Sequence, residues 1–130
     1  MKTIIIFLAL SLLSIVASAQ TTSETPVQNI SNDSAVVYRL FATKNKWTYI
    51  KLNTRNGQMW QVQYSLQEYN REDPLSLTAR VSKEEEKNGR FFLLPTQNIY
   101  NFLLLDQIDG RVWQVQWSIE EKNKLVIPIN

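Results

Sequence analysis

With 130 residues, 44 % of them hydrophobic, the chain holds enough apolar material for one modest core. Its 14 Lys and Arg and 12 Asp and Glu are interspersed, and the formal charge of +2 comes without a basic block, so neither nucleic acid nor an anionic membrane surface is indicated as a partner. Cys and His are absent, which excludes disulfides, thiolate nucleophiles, Ser-His-Asp and Cys-His sites and nearly all zinc chemistry.

Lys2 precedes an apolar run from Ile4 to Val16, and Ala17-Ser18-Ala19 then offers the small residues of a signal-peptidase site. The run is too short for a comfortable membrane span, and no basic stop-transfer cluster follows it. Residues 1–19 are therefore expected to be a cleaved signal peptide, giving an exported protein, periplasmic or secreted, that begins at Gln20 and retains no integral membrane span. Residues 20–35 are polar, rich in Ser, Thr and Asn, and read as a flexible leader. Asn29 and Asn32 head Asn-X-Ser sequences that act as glycosylation acceptors only in a eukaryotic source.

Residues 36–130 read as a single β domain made of two repeats, 36–79 and 89–129. The repeat announces itself in WQVQYS, Trp60 to Ser65, and WQVQWS, Trp113 to Ser118. A shift of 53 lays residues 38–65 on 91–118 without a gap, and ten of the 28 pairs are identical. Four more exchange one aromatic for another: Tyr38/Phe91, Trp47/Tyr100, Tyr49/Phe102 and Tyr64/Trp117. This is an internal duplication.

In each copy a first strand is expected over Val36 to Ala42 and Arg90 to Leu94, then a turn at 43–46 and 95–98. The second strand runs over Trp47 to Asn53 and Tyr100 to Asp106, rich in aromatic and branched residues. Asn56-Gly57 and Asp109-Gly110 signal a hairpin, because Gly takes the positive φ the return requires. The third strand covers Gln58 to Ser65 and Arg111 to Ser118. Weaker fourth strands are expected at Leu75 to Ala79 and Lys124 to Ile129, both at an edge because of Pro74 and Pro128. Between the copies, Ser82-Lys83-Glu84-Glu85 has capping-box spacing for one helical turn. The fold class is thus all-β: a duplicated antiparallel meander, two units of three to four strands, forming a small sandwich or barrel.

Alternation along the third strand sorts the hexapeptides into two faces. Trp60, Val62 and Tyr64, with Trp113, Val115 and Trp117, form a ring face that reads as the core of each repeat. Gln61 and Gln63, with Gln114 and Gln116, form the opposite face and are the candidate interaction surface. The repeated amides imply something fixed to bond, either a backbone edge of the other copy or a ligand. Phe102-Leu103-Leu104-Leu105 is apolar throughout and reads as buried on both faces, whereas Thr48 to Leu52 reads as half exposed.

The pattern from Leu40 to Ser65 and from Leu93 to Ser118 resembles a repeat of small exported bacterial proteins with no assigned activity. The resemblance covers about half of the chain beyond residue 19 and implies no catalytic residue. The segments leading into Trp60 and Trp113 are also similar to blade turns of β-propellers, which two copies cannot close. Asp106 and Asp109 fall short of the oxygens a calcium ion takes and read as turn caps. Glu84-Glu85-Glu86 and Glu120-Glu121, the acidic groups a glycosidase would use, read as solvated charge in connectors. The expectation is a non-catalytic binding or interaction protein of the cell envelope or exterior, without cofactor or metal. Its partner is an unknown protein, peptide or glycan, and oligomerisation is left open. The alternatives are a structural or assembly component and, behind it, a carboxylate-based hydrolase.

Overall fold

A computed structural model describes residues 31–130. The expected signal peptide, most of the expected leader and Asn29 lie outside these residues. The described chain is all-β, in two antiparallel four-stranded meanders. Sheet 1 has the order β1 (Tyr38–Ala42), β2 (Thr48–Asn53), β3 (Met59–Gln63), β4 (Arg71–Ser76). Sheet 2 has β5 (Phe91–Pro95), β6 (Asn101–Asp106), β7 (Val112–Gln116), β8 (Leu125–Ile129). No described helix is long and apolar enough to cross a membrane.

The turns are built by the residues that the two copies share. Asn45 Oδ1 accepts the Trp47 N–H at 2.8 Å, and Asn98 Oδ1 accepts that of Tyr100 at 2.9 Å. Thr43 and Thr96 donate their hydroxyls across the same turns, to the carbonyls of Thr48 and Asn101. In the second hairpin Asn53 and Asp106 cap the N–H groups of Arg55 and Ile108. Gly57 and Gly110 close these turns at φ 83° and 82°, the left-handed conformation that a side chain resists.

The fourth strand of sheet 1 begins four residues earlier than expected, at Arg71, and ends at Ser76. Arg71-Glu72-Asp73-Pro74 is unpromising as a strand, yet an edge strand faces water and tolerates charge and proline. Pro74 pairs with Trp60, and Pro128 sits opposite Trp113 on the matching edge of sheet 2. The connector forms one 3-10 turn at Lys83–Glu85, where the Ser82 N–H and hydroxyl both donate to the Glu85 carboxylate at 3.3 and 2.8 Å. Before it, Arg80 ties the linker down: its N–H donates to the Asn56 carbonyl at 2.8 Å and its guanidinium lies over the Trp113 ring.

The sheets pack on one another, but not symmetrically. The side of sheet 1 that carries Phe41, Ile50, Leu52, Met59 and Gln61 lies on the side of sheet 2 that carries Phe91, Leu93, Phe102, Leu104 and Val115, and all are buried. We call the ring-bearing side of each meander its front and the glutamine-bearing side its back. The back of sheet 1 covers the front of sheet 2.

A candidate interaction face

This front-to-back packing gives equivalent residues opposite environments. In sheet 2, Trp113, Val115 and Trp117 are buried as expected of the repeat core. In sheet 1, Trp60 and Val62 are only half-buried and Tyr64 is exposed. The expected shared burial of Trp60 and Trp113 therefore fails, because among the described residues no second sheet lies over the front of sheet 1. The same split holds along the first strands, where Leu93 is 0 % exposed and its counterpart Leu40 is 45 % exposed.

The front of sheet 1 is an organised aromatic surface. Tyr38 meets Trp60 edge to face at a centroid distance of 6.2 Å, and Tyr64 contacts both Trp47 at 5.3 Å and Tyr49 at 6.1 Å. The Lys51 ammonium lies 4.9 Å from the Trp60 ring and 5.5 Å from the Tyr38 ring while pairing with the Glu72 carboxylate. Rings held in this way lose little side-chain entropy on contact and bring a large apolar area.

The four glutamines divide. Gln61 is only 2 % exposed and belongs to the core. Its amide donates to the Ser118 carbonyl at 2.9 Å and accepts the Ser118 N–H at 3.2 Å, a two-point bond from the back of one copy to the backbone of the other. Gln63 donates to the Thr48 hydroxyl at 3.3 Å. On the outer back of sheet 2, half-buried Gln114 donates to Asn101 Oδ1 at 2.8 Å and Gln116 to the Asn123 carbonyl at 2.7 Å. Gln61 is thus no part of an accessible surface, and the glutamines do not make one shared face.

β6 is not covered on both sides: Phe102 and Leu104 are buried, but Leu103 and Leu105 look outward and are half exposed. The expectation of two-sided burial read the apolar content rightly and lacked the second neighbour that would cover it.

Two features escaped sequence reading. One is the buried ion pair of Arg90 and Asp106, whose guanidinium Nε lies 3.0 Å from both carboxylate oxygens. Burial pushes the Asp106 carboxyl up, but Arg90 and the N–H groups of Ile108 and Asp109 outweigh it and hold the group below the usual aspartate range. Asp106 has all the marks of a structural residue: its oxygens are committed to a turn and a cation. No signal in the repeat pointed to it, since copy one has Val37 and Asn53 at the matching positions. The other is a cleft of about 390 Å³ beside Tyr100, Gln116, Ser118 and Glu120, in which Glu120 is the carboxylate, bonded by Asn123 and Lys122. Among the described residues no three Asp or Glu gather to hold a metal ion.

The chain matches no protein family, no curated protein and no solved structure with which it was compared.

Proposed function

We propose that the chain is an exported, non-catalytic interaction protein that works through the open front of sheet 1. The observation that carries this reading is the cluster of Tyr38, Tyr49, Trp60 and Tyr64 on one sheet face, ordered by mutual ring contacts and uncovered. Contiguous apolar patches on a small domain mark contact surfaces. The apolar run and the Ala17-Ser18-Ala19 sequence support export.

A photo-crosslinking residue at Tyr64, introduced in the cells that make the protein, tests the surface. Adducts are expected at position 64 and not at a control probe replacing Glu84, which lies exposed in the connector. Absence of adducts at 64, or equal adducts at both positions, overturns the reading. Intact mass of protein recovered outside the cytoplasm tests export: the expected chain starts at Gln20, and a mass that keeps residues 1–19 contradicts it.

A further inference from the structure

Because the two sheets meet front to back, the described residues present two different open faces. One is the front of sheet 1 and the other is the back of sheet 2. We propose that these faces fit each other, so that a second copy of this chain docks the back of its sheet 2 on the front of sheet 1 and copies stack head to tail. The proposal rests on the interaction face argued above and names its occupant.

The back of sheet 2 repeats the surface that already makes this contact once. Where the back of sheet 1 buries Phe41, Ile50, Leu52 and Met59, the back of sheet 2 presents Leu94, Leu103, Leu105 and Val112. A sheet face meant for water would alternate to polar residues here. Its neighbour β8 adds exposed Ile127 and Ile129 to the same surface. The receiving face repeats as well. The Tyr38–Trp60 and Trp47–Tyr64 ring pairs on the open front correspond, position for position, to the Phe91–Trp113 and Tyr100–Trp117 pairs of sheet 2, in which all but the exposed Tyr100 are buried.

The polar seam has its counterpart too. Inside the chain, Gln61 takes both the N–H and the carbonyl of Ser118, and the Phe91 N–H donates to the Thr54 carbonyl at 2.8 Å. The equivalent groups on the open faces are Gln114 with Ser65, and the Gln107 carbonyl with the Tyr38 N–H. Between chains they would make the same two links once the Gln114 amide leaves Asn101 Oδ1 and its oxygen displaces Asn70 Oδ1 from the Ser65 N–H. This gives the doubled WQVQ-aromatic-Ser sequence a physical reason: one set of Gln and Ser joins the copies within a chain, and the other set joins chains. The mismatch is Lys51, which stands where sheet 2 has fully buried Leu104. Its charge stays matched by Glu72, and it makes the contact between chains weaker than the contact within one.

A head-to-tail contact closes into a ring when its rotation allows and otherwise runs on as a filament. Four-stranded meanders stacked in this way close as propellers at roughly four to eight blades, so two per chain correspond to rings of about two to four chains.

The full chain, purified from the cells that make it, is weighed by light scattering and native mass spectrometry across concentration. A ring of two to four chains, or a series that lengthens with concentration, supports the contact; a monomer at every concentration up to hundreds of micromolar overturns it. Trp60→Glu is expected to release folded monomers that melt close to the parent at dilutions where the parent is itself monomeric, and Lys51→Leu to tighten assembly roughly ten- to a hundredfold. Loss of tightening in Lys51→Leu counts against the contact even where Trp60→Glu misfolds. Polarity is read by a short bismaleimide in this cysteine-free chain. Gln114→Cys and Ser65→Cys chains should couple when mixed and not separately, whereas equal coupling within either variant alone shows a symmetric dimer and overturns the proposal. A monomer whose Tyr64 probe still captures another macromolecule sinks self-stacking and leaves the interaction reading standing; a monomer without adducts ends both.

Discussion

Sheet 1 and sheet 2 carry nearly the same third strand and bury opposite sides of it. Trp117 is 1 % exposed under sheet 1, while Tyr64, its counterpart, is 42 % exposed on an open face. Sequence alone therefore does not decide which residues form the core; the neighbour does. Both sides of both meanders are apolar enough to be buried, and a two-layer molecule satisfies only one side of each.

The sharpest way to break this comparison is to truncate the equivalent tryptophans. In chains dilute enough to be monomeric, Trp113→Ala is expected to cost about 3–5 kcal/mol, because it empties a packed site between the sheets. Trp60→Ala in the same chains should cost about 1 kcal/mol or less, as for surface changes. Urea unfolding of both variants decides it, and equal losses would mean that the front of sheet 1 is covered even in the monomer.

The next contrast lies in the glutamines. Gln61→Ala leaves the Ser118 N–H and carbonyl unpaired inside the seam, an expected loss of about 1–3 kcal/mol. Gln114→Ala gives up a bond to Asn101 at the surface and should move monomer stability by no more than about 0.5 kcal/mol. Thermal melts of the two variants, run side by side, test the difference.

The smallest effect separates the two hairpin turns by pH. The Asp106 carboxyl ionises more readily folded than unfolded. Its contribution is therefore complete above about pH 4, where an unfolded aspartate is charged, and fades as the pH falls through the lower folded value. Below pH 4 the melting temperature of the parent should fall more steeply than that of Asp106→Asn, which has already lost the pair. Asn53, at the same place in copy one, has no proton to exchange, so Asn53→Ala should leave the acid slope as it is.

Much of the fold was legible. The duplication, the strand order within each copy, the Asn-Gly and Asp-Gly turns and the edge placement of the proline-bearing strands follow from local chemistry that the sequence states twice. The start of β4 at Arg71 was not, because its charges look like loop and are tolerated only at an edge. The relative placement of the copies was not legible either. WQVQ sorts rings from amides, but Gln61 is buried by a partner backbone 57 residues away, and no local pattern encodes that distance. Of the candidate face, the aromatic residues were visible, but the rings of both copies were assigned to the core and only those of sheet 2 are buried, while of the amides assigned to the surface Gln61 alone lies inside.

The prolines opposite Trp60 and Trp113 bear on how this molecule avoids aggregation. A proline at the outer strand interrupts the row of N–H donors that another β-segment would use to extend a sheet sideways. At β4 and β8 the backbone edge is thereby blunted at its middle, and Arg71 and Glu72 add charge along β4. At these two edges, chains that crowd together are turned away from the cross-β route that a flat, apolar edge would open.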